Sequence, residues 1–169
     1  MSDHKKAILL VGHGGIPKGY PQDLITKLKR LEAQRRATGA PMSSEELELD
    51  TKVRTWPRTP QTDPYQAGLE ALGAAMKPLL NGSLFGLAYN EFCGPTLAEG
   101  IEDLIRQGAR SVTVVSTMFT PGGSHSEIEI PEELEELRRK HPGVTLTYAW
   151  PFNLEQVSRM LLEHIQRFA

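Results

Sequence analysis

The chain is short of several things at once. It has one cysteine, Cys93, among 169 residues, so no internal disulfide can form, and the reading is of a protein of the reducing cytoplasm. Charge of neither sign is in excess: 19 basic against 21 acidic residues leave a formal net charge of -2, and no broad basic field exists to hold nucleic acid or an anionic membrane. Long apolar runs are missing too. "AILLV" and "SVTVVSTMF" both break well before the roughly 20 residues needed to cross a bilayer. The opening "MSDHKK" is polar where a secretory signal would be hydrophobic.

What is present suits one well-packed core, and the whole chain, 1–169, is read as a single domain. Residues 7–12 form a continuous apolar run closed by glycine, the pattern of a parallel strand buried on both faces. Three more β-prone runs follow at 83–89, 111–117 and 144–148. Helical patterns lie at about 63–80, 95–107, 131–140 and 153–168, the last with Leu154, Val157, Leu161 and Ile165 on one stripe. Pro95 suits a first helical turn, Gly108 a helix end, and "HPG" at 141–143 a stop.

Such alternation predicts an α/β three-layer sandwich with a four-stranded parallel sheet, since parallel neighbours need helical crossovers. One stretch is too long for a crossover. Residues 16–62, with helices near 21–38 and 44–53, read as a helical insertion after the first strand, either a lid or a contact surface.

Ligands of open parallel sheets bind beyond the carboxyl ends of the strands, which directs attention to three segments. The first is "GHGG", with His13 between glycines; it matches neither a dinucleotide fingerprint nor a P-loop, so no nucleotide is expected. His13 alone is open to reading as a base, a metal ligand or a loop-bonded structural residue. The second is "NEFCGP", where Glu91 follows Asn90; Cys93 reads as a small buried hydrophobe. The third is "PGGSHSEIEIP", in which His125 and Glu129 stand four apart, the spacing that aligns two side chains on a helix. Ser124 and Glu127 have capping-box spacing there, yet Pro131 argues for a turn and then a helix starting at the proline. The run "PEELEELRRK" places acids early and bases late, as a helix dipole favours, and reads as a solvated face. His4, His141 and His164 need only tail and helix-surface roles.

The segments "LLVGHG" at 9–14, "AYNEFCGPTLAEGIEDLIRQGARSVTVV" at 88–115 and "PGGSHSEIEIPEELEELRRKHPGV" at 121–144 together resemble the small CbiX-type members of the class II chelatases, which insert a divalent metal into sirohydrochlorin. The sequence departs from the family's usual Gly-His-Gly-Ser-Arg, with Gly15, Ile16 and Pro17 in place of the Ser-Arg pair. The resemblance implies a chelatase-like fold and ATP-independent insertion of cobalt, or of nickel or iron, into a tetrapyrrole. His13 and His125 would be the metal ligands, Glu91 the base that takes pyrrole protons, and Glu129 the partner that orients His125. Lys18, Arg54 and Arg58 would meet ring carboxylates, and Trp56 would stack on the ring. A homodimer is implied as well, because longer relatives fuse two halves. The competing reading is a non-catalytic carrier of metal or metallo-tetrapyrrole.

Overall fold

The computed structural model describes residues 5–169; His4 lies outside them. Four strands, β1 (Lys5–Gly12), β2 (Leu84–Tyr89), β3 (Ala109–Ser116) and β4 (Thr145–Tyr148), form one all-parallel sheet in the order β2-β1-β3-β4. The α/β architecture expected from the alternation is present, with β1 inside the sheet, so that Leu9, Leu10 and Val11 are all buried.

Six helices connect and flank the strands: α1 (Gln22–Thr38), α2 (Ser44–Arg54), α3 (Pro64–Met76), α4 (Leu97–Arg106), α5 (Ile130–Lys140) and α6 (Leu154–Ile165). Leu97, Ile101 and Leu104 of α4, with Ile130, Leu134 and Leu137 of α5, cover one sheet face and pack on Leu9, Val11, Val112 and Val114. On the opposite face, Leu69 and Met76 of α3 pack with Leu10, Tyr89 and Cys93.

The insertion has a core of its own. Tyr20, Ile25, Leu28, Leu49 and Val53 close around Phe92, the residue directly after Glu91, so the inserted helices are fastened to the second strand-end loop. Neither helix is a loose flap. Ser43 caps α2, and Asp63 caps α3 ahead of Pro64 in its first turn, where a proline loses no helix hydrogen bond.

Three expectations need correction. Pro95 lies outside α4: Thr96 is the cap, in a reciprocal capping box with Glu99, while the Pro95 carbonyl accepts from Tyr89 N–H at 2.9 Å. Pro131 does not start a helix after a turn. Residues His125–Glu129 form a π-helical turn running straight into α5, with Ile130 N–H bonded to the His125 carbonyl. The extra residue in that turn carries the preceding carbonyls away from the proline ring, and Pro131 has no N–H to leave unpaired. Ser124 makes no capping bond, and the Glu127 carboxylate accepts from Gly122 N–H at 2.8 Å instead. Finally, α6 has no buried residue at all, and Leu154, Leu161 and Ile165 of its apolar stripe stand in solvent. Among the described residues no helix is long and apolar enough to cross a membrane.

Candidate metal centre

The strand order decides which loops meet. Because β1 lies between β2 and β3, its end carries His13 between the loop bearing Glu91 and the one bearing His125. Hydrogen bonding continues past the sheet proper: Asn90 N–H donates to the Gly12 carbonyl and Glu91 N–H to the His13 carbonyl, each at 2.9 Å. His13 N–H in turn donates to the Tyr65 hydroxyl at 2.7 Å. Gly14 passes so close to this neighbour that a Cβ on it would lie 1.8 Å from the Glu91 carbonyl oxygen, and its φ of 98° is one that glycine adopts freely. Phe92 holds a left-handed φ of 57°, which turns the chain after Glu91 and seats the ring in the insertion's core.

Three side chains converge there. His13 Nε2 lies 3.3 Å from Glu91 Oε1, and His125 Nε2 lies 3.8 Å from the same oxygen. The two imidazoles meet edge to face with centroids 4.8 Å apart, and one ligand atom from each of His13, Glu91 and His125 falls within 4.8 Å of the others. His13 Nδ1 is 3.0 Å from the Gly14 carbonyl, which can only accept, so Nδ1 donates there and Nε2 is the ring nitrogen that faces the Glu91 carboxylate. Two imidazoles and one carboxylate are a donor set for a divalent cation; bonds of about 2.0–2.2 Å hold any two ligand atoms within about 4.4 Å, so the three side chains must draw together slightly to share one ion, and they leave further coordination positions open.

Glu129 stands behind His125, its Oε2 3.0 Å from Nδ1, while Asn90 Nδ2 lies 2.7 Å from the same nitrogen. From α1, Arg36 reaches the other Glu129 oxygen at 3.3 Å. Burial pushes the Glu129 carboxyl up, but the hydrogen bond and charge of His125, with help from Arg36 and Asn90, outweigh it and hold the group below the usual carboxylate range. Glu32, also on α1, goes the other way: burial and then the charge of Glu91 raise it. The insertion therefore supplies one wall of the centre. The neighbouring cleft, about 330 Å³, opens between His13, His125 and the segment 117–120. A larger concavity of about 620 Å³ lies on the β2 side, between α3 and α4, and contains neither histidine.

The basic and aromatic residues expected at a ring site are differently employed. Arg58 is almost wholly buried and ion-paired with Asp63, and it donates to the carbonyls of Gly15, Val53 and Phe92. Arg54 donates to Asp50 at 2.7 Å and to the carbonyls of Cys93 and Asn90 at 2.8 and 3.3 Å. These two guanidinium groups clamp the loops that hold His13 and Glu91, and offer little charge to a ligand. Trp56 packs edge to face on Tyr20 at 4.9 Å against the insertion's core. Of these four residues, Lys18 is the one that is exposed and has no ion pair. Cys93 is buried as expected, and burial raises its thiol to about 11. Tyr65 and Arg36 carried no local signal, since each acts on a residue far away in the chain. Asn90 was visible only as the neighbour of Glu91.

The CbiX family profile matches residues 61–167, a segment that contains Glu91, His125 and Glu129 and lies beyond most of the insertion. The chain belongs to the CbiX family. Among curated relatives it is similar to a sirohydrochlorin cobaltochelatase of Priestia megaterium, with 33% identity over 43% of this chain and 24% of that protein. It is also similar to a sirohydrochlorin ferrochelatase of the same organism, with 30% identity over 47% of this chain and 30% of that one. The matched segment thus spans a quarter to a third of these relatives' length. Among solved structures, the sirohydrochlorin chelatase SirB from Bacillus subtilis subspecies spizizenii, in complex with cobalt, aligns with a TM-score of 0.52 at 21% identity, over 87% of this chain and 43% of that one. A protein of Marinobacter aquaeolei VT8 named for CbiX and cobalamin biosynthesis aligns with the same TM-score at 17% identity, over 97% of this chain and 99% of that one. At these identities the two structures establish the CbiX chelatase fold.

Proposed function

We propose that the chain inserts a divalent metal into sirohydrochlorin or a related tetrapyrrole without a nucleotide, cobalt being the first metal to test and iron and nickel the others. The observation that carries this reading is the convergence of His13, Glu91 and His125 ligand atoms within 4.8 Å, open to solvent on one side. Membership of a family whose curated relatives handle cobalt or iron supports the reaction class and leaves the metal open.

In this scheme the incoming ion exchanges water for His13 Nε2 and His125 Nε2. As it enters the ring, two pyrrole N–H protons must leave. Glu91, beside both imidazoles, accepts them in turn and passes them to solvent. Glu129 orients His125 from behind. Lys18 takes a ring carboxylate, and Arg36 is a second candidate because it already binds one carboxylate at the centre.

The same reading includes pairing with a second copy of the chain. Leu161, Leu162, Ile165 and Phe168 are exposed, and Val157 and Met160 of α6 border an apolar groove of about 480 Å³ with Phe119 and Phe152. That much unburied apolar surface on one helix is what an interface covers. The CbiX chain also matches only 43% of the SirB chain, leaving room there for a second unit.

The test is anaerobic mixing of protein and sirohydrochlorin with Co²⁺, Ni²⁺ or Fe²⁺ separately, following ring absorbance against a protein-free control. Acceleration with at least one metal, lost in both His13→Ala and His125→Ala, is the expected result. Ring binding with no rate above the control for any metal makes the protein a carrier. Undiminished rates in both variants discard the centre.

A further inference from the structure

β2 is an edge of the sheet, and its two sides are in different states. In a parallel ladder successive residues turn their N–H and C=O to opposite sides. Asn90 N–H goes inward to the Gly12 carbonyl and Tyr89 N–H outward to the Pro95 carbonyl, each at 2.9 Å. Those two bonds fix the alternation. Leu84, Gly86 and Ala88 turn their backbone groups to β1, while Phe85, Leu87 and Tyr89 turn theirs to the open side. Pro95 takes up the Tyr89 N–H, but the N–H and C=O of Phe85 and Leu87 have no partner among the described residues.

Sheet edges are commonly blunted by a charge, a proline or a covering element. The run "LFGLAY" of β2 has neither charge nor proline. Its edge is the floor of the 620 Å³ cleft between α3 and α4, where Gly86, Leu87 and Tyr89 lie between Glu70 of α3 and the pair Glu99 and Asp103 of α4. All three carboxylates are exposed, and Arg106 offsets one of them by pairing with Asp103 at 2.9 Å. The cleft is therefore acidic on both walls.

A second observation points to an occupant. Tyr89 is 2% exposed, and its hydroxyl has no hydrogen-bond partner among the described residues. Burial, then Cys93 and Glu70, raise this phenol, so it stays protonated and keeps a donor to offer. Buried polar groups are rarely left unpaired without a use.

Charge decides what fits. A second copy docked edge to edge would set these carboxylates against their own kind, which disfavours self-pairing through β2. We propose that the β2 edge receives an extended basic segment of another protein, which adds to the sheet as a fifth strand. The segment's backbone completes the bonds of Phe85 and Leu87. Its side chains alternate in direction, so lysines or arginines meet Glu70 on one wall and Glu99 and Asp103 on the other. A carbonyl of the same segment accepts from the Tyr89 hydroxyl. The edge shares no residue with the metal centre, and its occupancy is independent of the chelatase reading.

The probe is a fluorescein-labelled octapeptide with the repeat Lys-Lys-Val-Val, which puts lysines on both faces of a strand, titrated into the full chain and followed by anisotropy. Saturable binding is expected, with the amides of Phe85 and Leu87 becoming protected from hydrogen exchange in ¹H–¹⁵N NMR. The same peptide N-methylated at its four central residues keeps its charge and loses its backbone donors, and should bind at least about tenfold more weakly. The double variant Glu70→Gln and Glu99→Gln, in which glutamine preserves the α4 cap, should also lose about tenfold at low salt and little at high salt. No binding of the parent peptide at millimolar concentration overturns the proposal. Equal affinity for the N-methylated peptide does the same, because charge alone would then account for binding, as does protection of amides outside β2. A dimer that Glu70→Lys dissociates would give the edge to a second copy and overturn it too.

Discussion

Replacing Arg58 by alanine separates two roles that look alike in sequence. A surface arginine waiting for a ligand costs about 0.5 kcal/mol or less to remove. Arg58 is 5% exposed, its partner Asp63 is 3% exposed, and the guanidinium also satisfies the carbonyls of Gly15, Val53 and Phe92. Its loss leaves a buried carboxylate without its counter-charge and takes a donor from each of three carbonyls, of which Val53 keeps the Trp56 N–H, and about 3–5 kcal/mol is the expected cost. That is a large share of the roughly 5–15 kcal/mol by which a domain of this kind is stable. Urea denaturation followed by circular dichroism measures the change, with unchanged m confirming that the midpoint shift reports stability. A double-mutant cycle sharpens it: Asp63→Ala should cost about 1–3 kcal/mol less in the Arg58→Ala background than in wild type, since the stranded charge goes with it. A loss below 1 kcal/mol for Arg58→Ala, or strictly additive effects, would refute the clamp and return Arg58 to the ligand surface.

Glu32→Gln should raise stability at neutral pH and change little in acid. The folded Glu32 carboxyl is raised by burial and by Glu91, so between its unfolded and folded pKa the folded state binds more protons and stability falls as pH rises; glutamine removes that fall. Denaturation midpoints of both proteins across the acid-to-neutral range check it, and a constant difference at every pH would contradict the cause given. Ile165→Lys and Leu161→Lys should turn a dimer into a folded monomer, read by analytical ultracentrifugation, because both side chains stand exposed on α6. A wild-type protein that sediments as a monomer at micromolar concentration removes the pairing.

Strand and helix periods were plain in the sequence because they depend on local alternation: "AILLV" must be buried on both sides, and Leu97, Ile101 and Leu104 must share a stripe. His13, Glu91 and His125 were found by a topological rule, that loops after adjacent parallel strands share an edge of the sheet. What could not be read was anything set by contacts distant in sequence. Arg54 and Arg58 look like free charge until Asn90, Cys93 and Phe92 offer them carbonyls from a loop more than thirty residues on. The stripe on α6 looks like core, and nothing in its pattern tells whether the apolar partner is its own sheet or another chain. Pro131 misled for a different reason: a π turn has the same composition as an α turn and differs by one residue in hydrogen-bond register.

The inserted helices leave the main chain directly after His13 and lock, through Phe92, beside Glu91. Any exchange of that segment for a relative's, or any trimming of it, therefore shifts His13 and Glu91 together with the wall that Glu32 and Arg36 supply. The lid and the histidine edge of this scaffold cannot be redesigned one at a time.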